Sequence, residues 1–166
     1  MQLNSCFFVF FLFSFFTACA PQAKEPAIDL QELTVVEIHQ AYTDGQYKSQ
    51  QLVQAYLERI AVYDSLTNAL TIINPEALKV ACQLDEEYAQ TGQLRSLHGI
   101  PLIVKDNINT AGLSTTAGSL ALENYVPEEN AFIIQRLEEA GAIVMAKSNM
   151  AEWAFSPMHS ESSTAG

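Results

Sequence analysis

Residues 97 to 112 read "LHGIPLIVKDNINTAG". Ile100 to Val104 is a short apolar run, and it predicts a buried strand over residues 100 to 105. Lys105 closes that strand where Val or Ile would be ordinary, since lysine is among the residues least often fully buried. Two readings of the lysine stand side by side. In one, the amine turns out to water or pairs with an acid, as long charged side chains at strand ends commonly do. In the other, extended structure continues through Asn107, so that Lys105 and Asn107 share a face and Asp106 takes the opposite one. A lysine without a carboxylate in an apolar run tends to lose its proton, because burial disfavours the charged form. A neutral amine is a usable general base, and serine hydroxyls are its usual partners in nucleophilic catalysis. The small and glycine residues from Asn109 to Ser119 either let backbone approach a ligand closely or serve as turn material.

Outward from this strand, helices and strands alternate. Thr34 and Glu37 form a T-x-x-E capping box, and "VVEIHQAYTD" runs helically to Gly45. A second helix starts near Ser49, with Leu52, Val53, Tyr56, Ile60 and Tyr63 at helical spacing. "NALTII" (68 to 73) reads as a strand, and Asn74-Pro75 opens a third helix that ends near Gly92. Downstream, "PEEN" at 127 to 130 opens a helix with Gly141 just past its end, "AIVMA" (142 to 146) is a strand, and Ser148 to Phe155 is a last helix. The pattern predicts an α/β domain whose sheet is at least partly parallel.

The N-terminal part is of a different kind. "CFFVFFLFSFF" (6 to 16) is about half the roughly 20 apolar residues a spanning helix needs, and reads as the core of a signal peptide. Phe16-Thr17-Ala18-Cys19 resembles a bacterial lipobox, which would make Cys19 the lipidated first residue after cleavage. Plain cleavage after Ala18-Cys19-Ala20, and a retained anchor, are the alternatives; all three export the chain. Residues 1 to 18 are thus read as signal peptide, 19 to 32 as a tether, and 33 to 166 as the folded part, incomplete at its C-terminus because "MHSESSTAG" closes with neither helix nor strand. With 8 basic against 19 acidic residues, and a net charge of -11, the chain is unsuited to nucleic acid. Cys6 lies in the signal and Cys19 at the lipobox, so Cys82 alone remains in the body and no disulfide framework is expected.

"LHGIPLIVKDNINTAGLSTTAGS", with its sequel "AFIIQRLEEAGAIVMAKSNMAEWAF" (131 to 155), resembles the N-terminal hallmark of the amidase signature family. The upstream "AYTDGQYKSQQLVQAYLERIAVYDSLTNALTII" is similar to that family's leading helices. The similarity runs from about Leu33 to Gly166. It implies the front part of the amidase signature fold, a mixed, partly parallel sheet flanked by helices. It also implies a Ser-cisSer-Lys triad in which Lys105 is the base, the cis-serine relays a proton from the nucleophilic serine, and backbone N–H groups hold the oxyanion. The family's two serines belong to a G-S-S-G-G-type stretch that residues 1 to 166 do not contain, and Ser160, Ser162 and Ser163 do not fit it. No hydrolysis is therefore expected from these residues alone.

The resemblance further implies that Ala154 lines the acyl pocket, against core packing of a short helix. Asn107 either orients Lys105 or caps the strand end. His98 is expected to be structural, Trp153 to be core, and Lys147 to be an exposed lysine at a helix entry. His39 and His159 lack companions at metal-ligand spacing, so neither metal nor cofactor is expected. The activity expected is hydrolysis of a small carboxamide or a peptide amide by an exported lipoprotein held at the membrane by its lipid, or else secreted. The alternative is an exported lipoprotein that binds a small amide or peptide without catalysis. The family's tRNA-dependent amidotransferase component is disfavoured by the export signal and the acidic surface.

Overall fold

The computed structural model describes residues 28–155, 162 and 163. The signal peptide, Cys19, most of the tether, His159 and Ser160 lie outside the described residues. Helix α1 (Val35–Thr43) begins at the expected box: Thr34 Oγ1 accepts the Glu37 N–H at 3.2 Å and Glu37 Oε2 accepts the Thr34 N–H at 2.8 Å. Two otherwise orphaned donors are satisfied reciprocally. Helices α2 (Ser49–Thr67) and α3 (Ala77–Thr91) each end on a left-handed residue, Asn68 and Gly92. Strands β1 (Leu70–Ile73), β2 (Pro101–Lys105) and β3 (Ile143–Ser148) form one sheet in the order β1-β3-β2, and α4 (Phe132–Glu139) precedes β3. β1 runs antiparallel to β3 and β2 parallel to it, so the sheet is mixed.

β3 is central, and residues 143 to 147 are buried throughout. Ile143 and Met145 pack with Val53, Ala77, Ala81 and Leu84 of α2 and α3; Val144 packs with Val104, Leu113 and Ile134. A strand covered on both faces needs the continuous apolar run "AIVMA" rather than an alternating one. Each buried Val, Leu, Ile or Met side chain among them contributes about 1.5–3 kcal/mol by leaving water. A third cluster joins α1 to the start of β2 through Ile38, Tyr42, Leu52 and Ile100. Ile28 and Leu30 pack on that cluster. The folded part therefore begins earlier than Leu33, and residues 28 to 32 are not a free tether.

The two parallel strands start from interlocked glycines. Gly99 donates its N–H to Gly141 O at 2.9 Å, and Leu97 donates to Ala140 O at 2.9 Å. Both glycines have positive φ, 71° and 93°. A Cβ on Gly99 would overlap Ser49 Oγ and stand 2.9 Å from Tyr42 Cε2; one on Gly141 would stand 2.9 Å from His98 Cα. Only glycine satisfies both the dihedral and the space.

One expected helix starts later than read, and another is absent. "PEEN" is a turn, and α4 starts at Phe132. Tertiary bonds take the groups a first helical turn would use: Asn130 Oδ1 accepts the Ala111 N–H at 2.7 Å, Asn130 Nδ2 donates to Glu138 at 2.7 Å, and Pro127 O accepts the Gly112 N–H at 3.2 Å. In place of a helix over 148 to 155, β3 continues through Ser148, which pairs with both Leu70 and Lys105. A single 3-10 turn follows at Glu152–Ala154, with Trp153 at φ 55°. Trp153 donates its backbone N–H to Ala117 O at 2.8 Å and is 56% exposed, so it is not a core residue.

Candidate active site

Lys105 ends β2 and its side chain is exposed, as is that of Asn107. The expectation of a lysine sunk in a buried strand is corrected: the side chain stands on the open face of the sheet. The second half of that reading stands, because Asp106 turns the other way and is fully buried. Among the described residues Lys105 has no ion pair, so its amine can meet a ligand from the open side.

The buried lysine is Lys147, on β3, with an exposure of 0%. Its expected exposure is thus reversed. Lys147 Nζ donates to Ile108 O at 2.6 Å and to Thr115 Oγ1 at 2.9 Å, and stands 3.9 Å from Asp106 Oδ1. The other Asp106 oxygen accepts the Thr116 N–H at 3.2 Å and also the Thr116 hydroxyl. Burial pushes the Lys147 ammonium below the ordinary lysine value, and the Asp106 carboxylate opposes that shift.

A one-residue register shift explains the exchange of roles. Pro101 and Leu102 pair with Ile143 and Val144, but Ile103 pairs with Ala146, leaving Met145 as an extra residue in β3. Val104 therefore lies beside Lys147, and Lys105 beside Ser148. Val104 is buried at 5% exposure, and Lys147 follows it inward. An extra residue of this kind re-aims the side chains that follow it. The sequence did carry one signal for Lys147: "IVKDN" and "MAKSN" end two apolar strands in the same way.

Backbone bonds bring the Ala154 segment to the loop that follows Lys105. Ala117 donates its N–H to Asp106 O at 3.0 Å and accepts the Trp153 N–H at 2.8 Å. Ala154 itself is exposed with φ 57° rather than packed in a helix core. Ser119 Oγ donates to Glu152 at 2.5 Å, a second link between the two segments. Ser163 N–H and Ser162 Oγ both donate to Gly118 O, at 3.0 and 3.2 Å. His98 is structural: it is buried, with Nε2 3.0 Å from Leu84 O, while His39 Nε2 lies 3.0 Å from His98 O. A concavity lined by Tyr42, Tyr47, Ser49, Asp85 and His98 lies elsewhere and does not include Lys105.

An exposed lysine at the carboxyl end of a parallel strand, beside a loop pinned by buried polar groups, is a place where α/β folds present chemistry. The Amidase family matches residues 51–165, and the chain belongs to the amidase signature family. It is similar to the peptide amidase of Stenotrophomonas maltophilia, at 44% identity and a TM-score of 0.70 over 74% of this chain and 26% of that one. An amidase family protein from Bacillus anthracis is 36% identical with a TM-score of 0.69, over 74% of this chain and 25% of that one. The matching component of the glutamyl-tRNA(Gln) amidotransferase of Caldanaerobacter subterraneus subsp. tengcongensis is 36% identical over 128 residues, 77% of this chain and 26% of that protein. The chain spans about a quarter of the length of the curated relatives it matches. These findings make it an amidase-family sequence, of α/β fold with a mixed sheet.

Proposed function

We propose that the chain forms the front part of an amidase that hydrolyses a small carboxamide or a peptide C-terminal amide through a Ser-cisSer-Lys triad, with Lys105 as base. The observation that carries this is the geometry of Lys105: exposed at the end of β2, with its neighbouring carboxylate Asp106 turned inward. In this reading Lys105 takes a proton from the cis-serine, which takes one from the nucleophilic serine as it attacks the amide carbonyl. Water then releases the acyl group. Both serines and the oxyanion donors lie outside residues 1 to 166, so these residues alone are inactive. The similarity to a peptide amidase favours a peptide or small amide as substrate, and the net charge of -11 disfavours a tRNA-linked role. Ala154, tied through Ala117 to the Lys105 loop, is proposed to border the acyl pocket. Export, with Cys19 as lipid attachment, completes the reading.

The test is Lys105→Ala in the complete protein, assayed by ammonia release from a C-terminally amidated dipeptide. Turnover should fall by about three orders of magnitude or more with the fold retained. A variant that keeps near wild-type turnover would sink the assignment.

A further inference from the structure

The Lys105 turn is held from behind by a second lysine. Lys105 O accepts the Ile108 N–H at 3.0 Å, closing a tight turn, and Ile108 O accepts Lys147 Nζ at 2.6 Å. Within the same turn the Asp106 N–H bonds Ser148 O at 3.2 Å, so β3 grips it at two successive residues. Lys147 also reaches the far end of the loop through Thr115 Oγ1 at 2.9 Å, where Thr116 binds the Asp106 carboxylate. One buried ammonium thus joins both ends of segment 106 to 115, and no solvent reaches either charged partner. A solvated surface lysine could not do this, because water would compete for every donor.

We infer that Lys147 is a positioning residue for Lys105: with Asp106, it fixes the turn that aims the Lys105 amine, without touching the substrate. This rests on Lys105 being the base. Buried ion pairs add little net stability over apolar packing, and their best-attested use is to specify one arrangement. Reacting groups tolerate little misplacement, and about 1 Å can cost about a hundredfold in rate.

The test compares wild type, Lys105→Ala, Thr115→Val and the charge-neutral pair Asp106→Asn/Lys147→Met in the complete protein. Amide hydrogen exchange is read at Asp106, Ile108 and Ile143, alongside kcat and KM for ammonia release from a C-terminally amidated dipeptide. In the double variant, exchange at Asp106 and Ile108 should accelerate by about tenfold or more while Ile143 is unchanged, which marks local and not global loosening. Its kcat should fall by about a hundredfold with KM held within about threefold, and Thr115→Val should lie between. Unchanged exchange at the two turn amides, or a kcat within about threefold of wild type, overturns the inference. If the double variant fails to fold, Thr115→Val decides by the same two readouts. Wild-type turnover in Lys105→Ala would remove the base assignment alone, and the exchange rates would still decide whether Lys147 holds the turn.

Discussion

Lys147 Nζ stands 3.9 Å from Asp106 Oδ1, with neither side chain exposed. This is longer than a hydrogen bond, and each charge instead bonds its own threonine hydroxyl, Lys147 that of Thr115 and Asp106 that of Thr116. Removing only one partner strands the other. Lys147→Met should therefore cost about 3–5 kcal/mol of unfolding free energy, whereas Asp106→Asn/Lys147→Met should recover most of it. Urea unfolding of the three proteins checks this, and equal losses in the single and double variants would contradict it.

The same pair makes stability depend on pH. The folded-state pKa of Lys147 lies below its unfolded value, with burial as the leading cause. Between those two values the unfolded chain binds more protons than the folded one, so stability rises with pH across that window and is flat below it. The stability difference between wild type and Asp106→Asn/Lys147→Met should then move in favour of wild type as pH climbs toward the ordinary lysine value of about 10.4. Tyr42, whose phenol is pushed up by burial, is present in both proteins and cancels in the difference. Urea titrations at neutral and alkaline pH measure it, and a difference independent of pH would refute the linkage.

Gly99→Ala tests the glycine interlock. The new methyl would overlap Ser49 Oγ and crowd Tyr42 at a φ of 71°. Left-handed strain contributes about 1–3 kcal/mol, and the overlap adds to it. Gly92→Ala serves as the control, because its φ of 64° is similar but a Cβ there meets nothing within 4 Å. Thermal unfolding should place Gly99→Ala well below Gly92→Ala, and equal midpoints would show that the close contact is unimportant.

Export is tested at Cys19. Detergent phase partitioning should place the mature protein in the detergent phase, and Cys19→Ser should move it to the aqueous phase. Aqueous partitioning of the unmutated protein would favour plain cleavage over lipidation.

Most of the fold is legible in the sequence because its signals are local. The Thr34–Glu37 box, the stop at Gly92 and the apolar run of β3 need no distant partner to be read. What escapes is set by contacts far apart in sequence. "PEEN" looks like a helix start until Asn130 is seen bridging Ala111 and Glu138. The residues after Lys147 look helical until Ser148 pairs with strands on both sides. At the site, strand alternation puts Lys105 and Asp106 on opposite faces but does not say which of the two meets water. Nor does it give the burial of Lys147, because that depends on a register shift that no local pattern announces.

Each lysine follows its glycine by the same six positions, Gly99 to Lys105 and Gly141 to Lys147. Counted from the interlocked glycines, the two amines are equivalent, and a regular parallel ladder would set them side by side. The extra Met145 breaks that symmetry, giving one strand a surface amine and its twin an internal strut. Their difference is therefore carried by neither lysine. Were Met145 paired with Ile103 instead of bulged out, no ionisable group would change, yet Lys147 would fall beside Lys105 and leave two like charges competing for one place.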